Sequence, residues 1–115
     1  MRDCPFRSLI ITFVLLQGGS AWAGSAIALQ AAVHNCQDVK LDPDTRIAAC
    51  SEMIHSGLAT RGILTAFYFF RSLAYQAKGD IDNAVRDNDK ALELKPDYPD
   101  ALANKVSLQN KIQQK

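Results

Sequence analysis

Beyond residue 24, apolar positions recur at helical spacing between well-marked stops. The segment SAIALQAAVHNC is alanine-rich and favours helix. LDPDTRIAACSEMIHSG opens with Asp42 as a cap and Pro43 at the first helical position. It carries Ile47, Cys50 and Ile54 at spacings of three and four and stops at Gly57. TAFYFFRSLAYQAKG runs to Gly79, a glycine suited to end a helix. DIDNAVRDNDKALELKP starts at Asp80, keeps Ile81, Ala84, Val85, Ala91, Leu92 and Leu94 apolar, and is stopped by Pro96. DYPDALANKVSLQNKIQQK restarts at Pro99 with Leu102, Val106 and Ile112 on one side. No stretch sustains strand-like alternation, so the pattern predicts an all-α fold of about five helices.

AFYFFR disturbs this pattern. Phe67, Tyr68, Phe69 and Phe70 follow one another, and helical neighbours about 100° apart cover every face. That helix needs cover on more than one side.

The N-terminus reads differently. Arg2 and Arg7 precede a short apolar run, Leu9 to Leu16, and the small residues Ala21 and Ala23 follow. This is the layout of a cleaved secretion signal ending at Ala23. The alternative is a membrane anchor, but the run falls well short of the ~20 residues that span a bilayer. The expected product is a secreted or periplasmic protein with no stable membrane anchor. Asp3, Arg2 and Arg7 leave with the signal, so the rest is charge-neutral and implies no nucleic-acid partner.

Cys36 and Cys50 then remain as a pair. In an oxidising compartment a disulfide is expected, and closing a loop of roughly 15 residues contributes about 3 kcal/mol. A metal or thiol role would recruit His34 and His55, but no zinc-type spacing is present. In a cytosolic chain the two cysteines would be ordinary small core residues. No cofactor is implied. Asp80, Asp82, Asp87 and Asp89 bracket a helix start without the glycine of a calcium loop, and no serine or histidine stands in a catalytic motif, so an enzyme is not expected.

Tyr68, Ser72, Tyr75, Gly79, Ala84, Ala91 and Pro96 stand at the offsets of a 34-residue helix–turn–helix unit, and residues 61–96 resemble a tetratricopeptide repeat. Small residues there let two helices approach closely. Two positions depart from the family: Ser72 replaces the usual glycine or alanine, and Asn88 replaces an aromatic. Residues 24–60 resemble a degenerate preceding hairpin, with Arg46 where a small residue belongs, and 97–115 a polar-tailed capping helix.

The resemblance implies a non-enzymatic scaffold holding a protein or peptide partner, or a second copy of itself. The implied groove positions are Ala66, Phe69, Phe70, Leu73, Gln76 and Ala77, continued by Asp100, Ala103 and Asn104. Members that grip a C-terminal carboxylate use Lys and Asn where Phe69 and Leu73 stand, so an apolar or amphipathic ligand is implied instead. The alternative is a structural or self-associating mini-domain, or a remnant of a longer array, without an open groove. Arg71, between the aromatic faces, reads as a snorkelling or ion-paired residue touching a nearby Asp.

Overall fold

A computed structural model describes residues 27–115, so the expected secretion signal, 1–23, lies outside the described residues. The described residues form five helices and no strand: α1 through residues 27–37, α2 Pro43–His55, α3 Arg61–Lys78, α4 Ile81–Leu94 and α5 Pro99–Gln113. Residues Ala32–Lys115 make up one compact unit, and the described residues 27–31 fall outside it.

Helix ends follow local chemistry. The Asp42 carboxylate accepts the Thr45 N–H at 2.9 Å and the Thr45 hydroxyl at 2.6 Å, ahead of Pro43 at the first helical position. Thr60 caps α3 by accepting the Ile63 N–H at 3.4 Å, five residues ahead of the AFYFFR-containing run that begins at Thr65. Gly79 ends α3 at φ 86°, a left-handed conformation costly for any residue with a Cβ. Its N–H and that of Asp80 bond to the Gln76 and Tyr75 carbonyls at 3.0 and 2.9 Å. Asp80 then caps α4 through the Asn83 N–H at 3.2 Å, so α3 and α4 meet in a hairpin of two residues, Gly79 and Asp80.

From α2 onward each helix packs on the next, α2 on α3, α3 on α4 and α4 on α5. Ser72, Ala84 and Ala91 are fully buried. The Ser72 hydroxyl donates to the Ala84 carbonyl at 2.7 Å, which requires the two backbones to lie close together. The serine at the expected small position thus fits and adds a bond an alanine would lack.

Two buried faces differ from the apolar pattern. On α2 the buried residues are Arg46, Ala49, Cys50 and Met53, with Ile47 and Ile54 only half-buried. Arg46 is 4% exposed, and its Nε and Nη2 have no hydrogen-bond partner among the described residues. On α5 the buried residues are Ala101, Asn104 and Leu108, whereas Leu102, Val106 and Ile112 are 45, 58 and 50% exposed. The neighbours explain the rotation: α5 turns Asn104 inward because the buried Asn88 amide of α4 and the Ser72 hydroxyl and Gln76 amide of α3 await it. Leu102 and Val106 are left outside.

A disulfide joins Cys36 of α1 to Cys50 of α2, both without exposure. It closes a loop with a sequence separation of 14, so its removal is expected to cost about 3 kcal/mol. Urea unfolding of Cys36→Ala/Cys50→Ala, compared with the parent chain, measures this directly. A titration of the native chain should find neither thiol reactive before reduction.

The caps predict a pH dependence. Hydrogen bonds from Thr45 and Asn83, side chain first and then backbone, hold the Asp42 and Asp80 carboxyls below the ordinary carboxylate value. A value depressed on folding stabilises the fold above the unfolded carboxylate range, and that contribution is lost as pH falls through the lowered folded value. The urea midpoint should therefore fall on acidification below that range, and less steeply in Asp42→Ala and Asp80→Ala.

Candidate interaction surface

The partners of α3 determine which of its residues are free. Arg71 points toward α2 and α4. Its Nε and Nη2 donate to Asp87 at 2.6 and 2.8 Å, its Nη1 donates to the Ser51 hydroxyl at 2.9 Å, and its guanidinium carbon lies 5.5 Å from the Tyr68 ring centre. The side chains of Arg71 and Asp87 are only 14 and 6% exposed. The charge-assisted bond to Asp87 outweighs desolvation and raises the Arg71 pKa above its ordinary value. The Asp expected near Arg71 is thus Asp87, from the following helix.

A second polar system joins α3 and α4 to α5. Gln76 Nε2 donates to Asn104 Oδ1 at 2.7 Å, and Asn104 Nδ2 donates to Asn88 Oδ1 at 2.9 Å and to the Ser72 hydroxyl at 3.3 Å. Asn88 Nδ2 donates to the Ala101 carbonyl at 2.9 Å. Asn88, which departs from the aromatic of the repeat pattern, is 1% exposed and anchors α5 by hydrogen bonds instead of a ring. Lys111 reaches back to Gln76 Oε1 at 3.3 Å.

Beside this network lies an aromatic cluster. Phe69 packs on Ala91 and Ala101, with Tyr68, Phe70, Leu73, Leu92 and Tyr98 around them. The Phe69 and Tyr98 rings meet edge-on at 5.5 Å. Phe67, on another side of α3, is 2% exposed.

Three of the expected groove residues are therefore withdrawn. Phe69 and Asn104 are buried, and Gln76 is half-buried with its amide bonded to Asn104 and Lys111, because α5 lies against that sector of α3. Ala66, Phe70 and Leu73 are half-buried, while Ala77, Asp100 and Ala103 are exposed. Ile63, which the sequence reading omitted, is 46% exposed and extends the surface. The residues Ile63, Ala66, Phe70, Leu73 and Ala77 are spaced three and four apart, so they form one continuous apolar stripe along α3. Their line was readable from the spacing alone once the helix was extended back to the Thr60 cap.

Other candidate chemistry is limited. The sulfurs of Cys36 and Cys50 are committed to each other, and His34 and His55 are exposed. Among the described residues no three His, Cys, Asp or Glu side chains gather as metal ligands do.

Substitutions should separate the two sides of α3. Phe69→Ala is expected to cost about 3–5 kcal/mol through the cavity it leaves, and Asp87→Asn a similar ~3–5 kcal/mol by leaving Arg71 buried and unpaired. Leu73→Ala, half-exposed on the stripe, should cost only about 1 kcal/mol. Chemical denaturation of the three variants tests the contrast.

No protein-family model, curated protein or solved structure matches this chain.

Proposed function

We propose that the chain is a non-enzymatic protein-interaction scaffold of tetratricopeptide type, which holds an apolar or amphipathic segment of a partner in an oxidising compartment such as the periplasm. The observation that carries this reading is the stripe Ile63, Ala66, Phe70, Leu73 and Ala77, an apolar line along α3 whose ends are exposed and whose middle is half-buried. Contiguous apolar surface of that kind on a small domain marks a place where something docks. The stripe bears no cation or amide that would clamp a terminal carboxylate, so side-chain burial is the main source of affinity. Three further features support the reading. Ser72, Ala84 and Ala91 meet between α3 and α4 where the repeat architecture needs small residues. The Cys36–Cys50 bond fits an exported protein. None of the described helices is long and apolar enough to cross a membrane.

A second reading, self-association, is favoured by one observation: Leu102 and Val106, one turn apart on α5, are both about half-exposed.

A photo-crosslinking residue at position 73 distinguishes the readings. The scaffold predicts an adduct to a different protein from position 73, lost when Phe70→Asp is added, and none from the exposed helix position Asp82. Adducts between copies of the chain from position 106, with none from position 73, would support self-association and overturn the scaffold.

A further inference from the structure

A cleft of about 230 Å³ opens between α4 and α5, on a side to which α3 contributes no residue. Val85, Leu108 and Ile112 give it apolar walls, and Asn88 lies at its deep end beside Leu108, the two being 1 and 2% exposed. Ile112, half-exposed, stands at the mouth. An apolar cavity of about 150 Å³ is enough to take up benzene, so this volume suits a ring with a substituent or a small bicyclic ring.

The polar groups narrow the class further. The Asn88 side chain donates one N–H to Ala101 and accepts one bond from Asn104. A primary amide has two donors and two lone pairs, so a second N–H and a second lone pair remain beyond these bonds. At the rim, Lys105 and Asp89 lie 3.6 Å apart, and their charges offset each other. The exposed Gln109 lines the cleft as well, so the site offers apolar walls, two amides and no net charge, which disfavours an ion and favours a neutral molecule.

We propose that this cleft binds a single neutral aromatic ring system carrying one hydrogen-bonding group. Indole is the simplest bicyclic member of the class: its faces match Val85 and Ile112, and the exposed Gln109 offers an amide oxygen to accept its N–H. The site is separate from the α3 stripe and stands whether or not that stripe binds a protein.

Titration of indole into the full chain, followed by methyl NMR, provides the test. Saturable shifts are expected at Val85, Leu108 and Ile112, with a dissociation constant on the order of 1 mM, as suits so small a ligand. Ile112→Trp places a ring of the chain's own at the mouth and should weaken binding at least about tenfold, a change of ~1.4 kcal/mol. Val106→Trp on the same helix, and Leu73→Asp on the stripe, should leave it unchanged. A parallel titration with N-acetyltryptophanamide separates sources of the ring: binding of both probes supports a side chain from another protein, and binding of indole alone supports a free small molecule. The proposal is overturned if indole gives no saturable shift at several millimolar, if Ile112→Trp leaves its affinity intact, or if Leu73→Asp abolishes binding in a chain that remains folded.

Discussion

One guanidinium ties together three helices. Arg71 grips Asp87 of α4 through two nitrogens and Ser51 of α2 through the third, while the Tyr68 ring lies against it. The free energy of such a pair is modest, since desolvating two charges consumes much of what their attraction returns. Its geometric effect is larger. A planar fork that meets a carboxylate along two parallel bonds accepts one alignment of α3 against α4, and a shift of either helix would strand a charge in the interior. The hairpin register is thereby fixed where apolar packing alone would tolerate slippage.

The amide system of Gln76, Asn88, Asn104 and Ser72 does for α5 what Arg71 does for α2 and α4. Its inner members are nearly or wholly buried, and each hydrogen-bonds to a group on another helix. A buried network of this kind is stabilising only when its members find partners, and then it specifies one arrangement. The fold thus depends on polar fits at two seams, with small apolar clusters around Phe69 and around Ile81, Ala84 and Leu108 filling the space between them.

These seams explain which parts of the structure were legible in the sequence. Most helix ends were, because Asp42, Pro43, Gly79, Asp80, Pro96 and Pro99 act on the backbone within a turn of themselves, although the start of α3 at the Thr60 cap lies five residues ahead of the expected one. The close contact of Ser72 with Ala84 was also readable, since small residues at fixed offsets have one obvious use. The buried faces of α2 and α5 were not. Arg46 and Asn104 are interior although they are polar, and Leu102 and Val106 are outside although they are apolar. A count of hydrophobic positions ranks those pairs the wrong way round because an inward amide is chosen by groups on α3 and α4. The candidate surface fared likewise: Ala66, Phe70, Leu73 and Ala77 stay at the surface, whereas Phe69, Gln76 and Asn104 turn to α5.

The same division accounts for the run of aromatic residues from Phe67 to Phe70. Phe67 is buried, Tyr68 meets Arg71, Phe69 enters the cluster against Tyr98, and Phe70 remains partly in solvent. Had stability rested on apolar burial alone, a chain this small would have little reason to leave Phe70 and Leu73 half-covered. With register set by Arg71 and the amides, and with α1 tied to α2 by a covalent bond, Phe70 and Leu73 pack only on the edge of the cluster around Phe69. Polar locks at the seams let α3 leave that edge half-covered.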